Sequence, residues 1–367
     1  MTSSYAIFRL PFAHKATLIQ QVGEEPAELH SCEELNGKSG FVVAPFQVTH
    51  RQPILLIRPD EVTVVDVERE CSNSILPAGS SSSTVCPTTP PQSPTTHYST
   101  DFANYHTQLQ GGRFRKIVLA RCADEHTAEP LDPTALFYRA CQLYPRMFIS
   151  LVQTPRSGCW LTATPEILLE QNGDQWRTIA LAGTMKLANE QLNGEGETMT
   201  WSTKNIQEQR IVATYITECL EQFTNDIREE GPRTVRAANL VHLRSDFTFS
   251  LSDTHHLGNL LNALHPTPAV CGLPKRETFD FIVNNEHTPR RYYSGFMGPL
   301  RLQDALAAEK TETACSTHLY VSLRCMNIEG NHYHLYAGGG LLRESAEEQE
   351  WLETEAKMET MKRLLYV

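Results

Sequence analysis

Two residues in this sequence have the surroundings that acid–base chemistry needs. Lys116 lies in the strand-like run Phe114-Arg115-Lys116-Ile117-Val118-Leu119-Ala120-Arg121, flanked by Arg115 and close to Arg121. Nearby positive charge disfavours an ammonium, so the pattern predicts a lysine that sheds its proton near neutral pH and acts as a base. Glu166, in Thr164-Pro165-Glu166, precedes the apolar run Ile167-Leu168-Leu169. Burial there would raise its pKa and keep it protonated, as an acid. A base and an acid tuned in opposite directions suit the exchange of one hydroxyl for another. Each residue also has a plainer reading. Lys116 fits an edge lysine facing water, and Glu166 a carboxylate at a helix N-terminus after Pro165.

Other groups carry paired readings too. Lys204 and Glu208, four apart, fit a surface ion pair on a helix, or Glu208 is a metal ligand. Glu350, Glu353 and Lys357 fall at i, i+3 and i+7 on one helical face. That face is either solvated or a Mg²⁺ carboxylate site beside an ammonium for an anion. Gly338-Gly339-Gly340 ends a strand, either as a turn or as backbone N–H groups that hold a carboxylate. His332-x-His334 and His255-His256 are imidazole pairs with no third ligand evident. Neither G-x-G-x-x-G nor a Walker A run occurs, so nucleotide binding has no support. G-x-S-x-G and H-E-x-x-H are absent as well.

These residues need elements to carry them. Strands are predicted at 5–10, 41–46, 54–57, 62–67, 116–121, 147–153, 176–181, 292–298, 318–326 and 333–337. Helices are predicted at 133–144, 203–230, 255–264, 275–284 and 344–364. Several strands follow one another directly, which favours an α+β fold with large antiparallel sheets. Residues 1–71 supply strands too few for a core of their own. Residues 72–100, crowded with Ser, Thr and Pro, read as a flexible loop. Residues 114–367 form the catalytic part of one domain spanning 1–367.

The net charge of −11 argues against nucleic acid and anionic membranes as partners. It does not argue against a small anionic substrate, which feels the local site. The ten cysteines include no Cys-x-x-Cys pair and read as reduced thiols of a cytoplasmic protein. Residues 1–10 lack a signal-peptide h-region, and no apolar run is long enough to span a bilayer.

In order, the chain carries Lys116-Ile-Val-Leu-Ala-Arg121, Thr164-Pro-Glu166, Leu181-Ala-Gly-Thr184 and Lys204-Asn-x-x-Glu208. Then come Val241-His-Leu243, His265-Pro-Thr-Pro-Ala269, Tyr293-x-Gly-x-x-Gly298 and Leu323-Arg324. Ala337-Gly-Gly-Gly340 and Glu350-Trp-x-Glu353-Thr-x-x-Lys357 complete the series. As a set it resembles the chorismate-utilising enzymes, most closely the isochorismate synthase branch. The resemblance implies antiparallel sheets packed as a sandwich with helices outside. It also implies a Mg²⁺-dependent isomerisation in which water adds at C2 of chorismate and the C4 hydroxyl leaves.

Lys116 matches the family's general base and Glu166 its general acid. Glu208 and Glu353 match the Mg²⁺ ligands, with Glu350 as a nearby helper. Gly338 and Gly340 match backbone donors to the ring carboxylate. Arg324 and Lys357 match contacts to the enolpyruvyl carboxylate, with Tyr293 adding a hydrogen bond. Gly183, Thr184, His242 and Ala269 match further pocket positions. Relatives that transfer ammonia carry glutamine at the position of Lys116. Relatives that make aminodeoxychorismate carry lysine at Ala182, and salicylate producers tend to carry threonine at Ala269. Gly339 stands where alanine is more common. The implied reading is isochorismate synthesis for menaquinone, with no glutamine amidotransferase subunit. The alternatives are a siderophore-pathway isochorismate synthase, a salicylate synthase and a non-catalytic carboxylate-binding relative.

Overall fold

Apolar residues that fill both faces of a strand require a layer on each side of it. Phe41-Val42-Val43-Ala44 and Ile149-Ser150-Leu151-Val152 are such runs, and every residue in them is buried. The computed structural model describes residues 4–73, 94–186, 200–237, 240–303 and 315–366.

The chain opens with β1 (Ser4–Arg9), β2 (Lys15–Gln21), β3 (Ala27–Leu29), β4 (Gly40–Ala44), β5 (Ile54–Ile57) and β6 (Glu61–Asp66). Helices α1 (Val67–Asn73) and α2 (Thr96–Gln110) lead to β7 (Lys116–His126), α3 (Pro133–Leu143) and β8 (Phe148–Thr154). Next come β9 (Gly158–Thr164), β10 (Ile167–Asn172), β11 (Gln175–Lys186), α4 (Thr203–Leu220), β12 (Ile227–Ala237) and β13 (Leu240–Phe249). After α5 (Leu257–Leu264), β14 (Gly272–Leu273) and α6 (Lys275–Asn285) the chain forms β15 (Phe296–Leu300), β16 (Leu302–Gln303) and β17 (Cys315–Ser316). It ends with β18 (His318–Val321), β19 (Cys325–Glu329), β20 (His332–Leu341) and α7 (Glu347–Leu365).

Two nine-stranded antiparallel sheets dominate. One runs β14-β7-β20-β19-β9-β8-β1-β2-β6, the other β12-β13-β11-β10-β18-β15-β4-β5-β3. Phe8, Phe41, Phe148, Trp160, Ile179 and Tyr336 interdigitate between them. On the outer face of the first sheet, Ile149 and Leu161 pack against Phe137 of α3 and Met361 of α7. On the outer face of the second, Val42 and Trp176 join Ile216 of α4 and Leu260 of α5. The arrangement is thus α+β, a sheet sandwich with helices outside. Strands from the first 66 residues occupy both sheets. Among the described residues, no helix is long and apolar enough to cross a membrane.

Several expected elements differ. The helix expected over 203–230 ends at Leu220, and Ile227–Ala237 is a strand. Thr224-Asn225-Asp226 forms a turn in which the Asp226 N–H donates to Thr224 Oγ1 (3.1 Å), and pairing with β13 draws residues 227–237 into the sheet. The loop expected over 72–100 gives way to α2 from Thr96. Thr95 caps this helix through the Tyr98 N–H, and Tyr98, Phe102, Tyr105 and Leu109 form a buried stripe. Residues 74–93 lie outside the described residues. The expected strand 292–298 is a turn followed by β15, and 318–326 breaks at Ser322–Arg324, where Arg324 takes φ 47°. β2, β3, β9, β10 and β13 are additional strands.

Candidate active site

β7 and β20 form the floor of the site. Gly340 lies opposite Val118, and Gly338 opposite Ala120. The three glycines are strand, not turn, and their missing side chains are the space into which the site's groups project. A Cβ on Gly340 would stand 2.1 Å from Glu208 Oε1 and 2.8 Å from Lys116 Cε. One on Gly338 would stand 2.7 Å from Tyr293 Oη, and one on Gly339 3.2 Å from Glu350 Oε2. The Gly338 carbonyl accepts from Lys357 Nζ (2.7 Å), so it points away from β7. In an antiparallel pair a residue's N–H and C=O share one side. The amides of Gly338 and Gly340 therefore face the edge left open where β19 ends, as groups that bind a carboxylate must.

Above this floor is a cavity of about 610 Å³, mouth included. Its wall holds Glu166, Gly183, Thr184, Glu208, His242, Ala269, Tyr293, Arg324, Gly338, Gly340 and Lys357. Leu323, from the Leu323-Arg324 run, also lines it, as does Val270, which carries no sequence signal beyond being apolar. Glu350 and Glu353 line an adjoining hollow with Lys204, and Thr184 belongs to both. Lys116 is fully buried just beneath the wall. Its Nζ lies 3.0 Å from Glu208 Oε1, and no hydrogen-bond acceptor is aligned with it.

The charges expected around Lys116 are not the ones found. Arg115 is exposed. Arg121 lies on the other face of β7, where Nε donates to Thr354 Oγ1 (2.6 Å) and the guanidinium pairs with Glu355. Side-chain alternation separates both from Lys116, whose close partner is a carboxylate. The expected Lys204–Glu208 surface pair is also corrected. Lys204 reaches across to Glu350 instead, and Lys357 pairs with Glu353 at 2.7 Å. Three carboxylates thus meet three ammonium groups. The pairing of Lys204 with Glu350 was not legible in the sequence, because the partner lies on another helix.

Glu166 sits in the tight link between β9 and β10 rather than on a helix. Its N–H donates to Thr164 Oγ1 (3.2 Å) and its carbonyl accepts from the Val321 N–H (2.9 Å). Burial pushes its carboxyl up to about 7, against the opposing pull of Lys116, Lys357 and Arg324. Glu208 is also buried, yet Lys116, with Lys357 and Lys204, outweighs burial and holds it below the ordinary carboxylate range. Two carboxyl groups on one cavity are therefore separated in opposite directions, the signature of assigned acid and anion roles.

A bulge at Gly183 (φ 72°) shifts the β11–β13 register between Ala182 and Thr184. It brings the Gly183 carbonyl 3.2 Å from His242 Nδ1. On the other side of the ring, Arg324 Nη2 donates to Nε2. A guanidinium only donates, so Nε2 accepts and Nδ1 carries the proton. Burial, then Arg324 and Lys357, hold His242 well below its usual pKa and keep it neutral. Burial lowers Arg324 to about 10.

The carboxylates fit a hard divalent cation. Glu350 Oε2 is buried without a hydrogen-bond partner among the described residues. Burial, and then the charge of Glu353, raise the Glu350 pKa despite Lys204. Such crowding of negative charge is what a bound cation relieves. Further along β7 and β20, Cys122, Asp124 and His334 bring ligand atoms within 4.8 Å of one another, supplying His334 with neighbours the sequence did not reveal. His256 hydrogen-bonds Asp253 at 2.5 Å.

Known proteins resemble this chain. Isochorismate synthase MenF of Escherichia coli (strain K12) is 32% identical over 256 residues, covering 69% of this chain and 56% of its own. Isochorismate synthase EntC of the same strain is 27% identical over 249 residues, 67% of this chain and 61% of its own. The chain therefore matches little more than half the length of these curated relatives. The solved structure of the menaquinone-specific MenF from E. coli superposes with a TM-score of 0.75 at 22% identity, covering 99% of this chain and 88% of that one, which establishes a common fold. A family profile described as "Chorismate binding enzyme" matches residues 64–366, so this chain belongs to the chorismate binding enzyme family.

Proposed function

We propose that the protein is an isochorismate synthase, a Mg²⁺-dependent isomerase of chorismate acting in the cytoplasm, with menaquinone synthesis as its pathway and no amidotransferase subunit. The observation that carries this reading is the glycine floor. It makes room for Lys116 and Glu208 beside the cavity on which Glu166, with its carboxyl raised to about 7, also opens.

The chemistry follows from these groups. Lys116 takes a proton from water, and that oxygen bonds to C2 as the ring double bonds shift. The C4–O bond breaks, and Glu166 gives its proton to the departing hydroxyl, so the reaction is an isomerisation. Lys116 must first give up the proton of its ion pair with Glu208 to solvent, because only the neutral amine can serve as the base. The backbone N–H groups of Gly338 and Gly340 hold the ring carboxylate. Arg324, oriented by neutral His242, and Lys357 hold the enolpyruvyl carboxylate, a match for the guanidinium fork. Glu208 and Glu353, with Glu350 beside them, would hold Mg²⁺, which when bound neutralises the charge of the ring carboxylate. Lys116, Ala182 and Ala269 support release at isochorismate rather than amination or loss of pyruvate.

The test is product analysis after incubation with chorismate and Mg²⁺. Isochorismate is expected, EDTA should abolish its formation and added Mg²⁺ should restore it. Salicylate and pyruvate as the only products would reject the reaction.

A further inference from the structure

Strand β7 has two edges. β20 covers one from Ile117 to His126. On the other, β14 pairs only with Lys116 and Ile117, its reach ending where the Val118 N–H donates to Cys271 O (2.7 Å). The next groups facing that side are the Val118 carbonyl and the Ala120 amide. Both residues are buried, and no strand among the described residues reaches them. A buried backbone group without a partner is costly.

Two side chains fill the gap. Glu286 Oε1 accepts from the Ala120 N–H (2.8 Å), and Arg290 Nη2 donates to the Val118 carbonyl (2.8 Å). The two are joined through Arg290 Nε to Glu286 Oε2 (2.6 Å) and Nη2 to Oε1 (2.7 Å). Each side chain is only 3% exposed. Acceptor and donor thus stand along the strand as a neighbouring backbone would present them. The pair reaches further. Arg290 Nη1 donates to Val270 O (2.7 Å), next to Ala269, and the Arg290 carbonyl accepts from the Tyr293 N–H (2.9 Å). The Phe46 ring, 4.3 Å from the guanidinium carbon, covers the outside.

We propose that Glu286 and Arg290 are positioning residues: a side-chain ion pair that replaces a missing strand, fixing β7 beside Lys116 and tying it to the segments carrying Ala269 and Tyr293. Its kinetic consequence rests on the isochorismate synthase reading; its structural consequence does not.

The test is the double variant Glu286→Leu/Arg290→Met, which removes both charges together and leaves neither buried alone. Melting temperature, hydrogen exchange by mass spectrometry and chorismate kinetics are measured with the wild type alongside. The expected result is a melting temperature within a few degrees of wild type and faster exchange confined to 116–121. With it, kcat should fall by about tenfold or more, with KM changed by less than about threefold, as misplacing a bound reacting group produces. Wild-type kcat, or unchanged protection of 116–121, would overturn the proposal. So would faster exchange spread evenly over both sheets, which marks a merely structural pair. If the double variant does not fold, Arg290→Lys, which keeps the charge and loses the fork, carries the same readouts. If the wild type converts no chorismate, the functional reading falls, and the exchange at 116–121 still decides whether the pair secures β7.

Discussion

Gly340→Ala adds one methyl group where the side chains of Lys116 and Glu208 meet. The Cβ would lie 2.1 Å from Glu208 Oε1 and 2.8 Å from Lys116 Cε. Real Cβ contacts essentially never fall below 3.0 Å, so Glu208 Oε1 must retreat by about 0.9 Å (3.0 minus 2.1) and Lys116 by a smaller amount. Gly340 does not have positive φ, so the strand itself accepts alanine and the damage is confined to the side-chain tips. A displacement near 1 Å at a positioned group costs on the order of 10²-fold in rate. The expected outcome is a folded protein whose kcat/KM on chorismate drops by about that factor, with a higher Mg²⁺ concentration needed for half-maximal activity. Gly339→Ala is the control. Its Cβ would meet Glu350 Oε2 at 3.2 Å, a contact eased by a few tenths of an ångström, so its loss should be much smaller. Wild-type kinetics and Mg²⁺ dependence in Gly340→Ala would refute the claim that Lys116 and Glu208 work in the places assigned to them.

Lys116→Ala and Glu166→Gln should each lower kcat by about 10²-fold or more, read in the chorismate assay. Turnover should decline as pH rises through about 7, because the acid Glu166 then loses its proton. Stability follows the same group. A carboxyl whose pKa rises from 4.5 to about 7 on folding contributes stability that is complete below 4.5 and lost as pH climbs through 7. Glu166→Gln removes that loss, so it should be more stable than wild type at pH 8 by up to about 3 kcal/mol and show no such gain at pH 4, as measured by denaturant melts.

Much of the site was legible because its chemistry sits in short runs that keep their meaning anywhere. Pro165-Glu166, Gly338, Gly340 and Lys357 line the cavity, and Glu350 and Glu353 line the hollow beside it. The electrostatics were not legible. Arg115 and Arg121 neighbour Lys116 in sequence, but pleating turns them away, and its partner Glu208 comes from another element. Lys204 misled in the same way, having a carboxylate four residues on and choosing one on α7. In the fold, the error at 221–230 has a similar cause. Glu-rich sequence favours helix locally, and pairing with β13 overrides it. The Ser/Thr-rich start of α2 hid an apolar stripe that is buried against β7, α6, Leu341 and Trp351.

β20 sits between β7 and β19 inside its sheet, although it follows β7 in the chain only after strands β8 to β19 and helices α3 to α6. Until it inserts, the sheet exists as two separate pieces with bare inner borders, each an invitation to pair with another chain. Synthesis from the N-terminus therefore leaves the nascent protein open along that seam until β20 itself emerges. The glycines that leave the cavity its space lie in the strand that closes this seam, so joining the two pieces and shaping the cavity are one event.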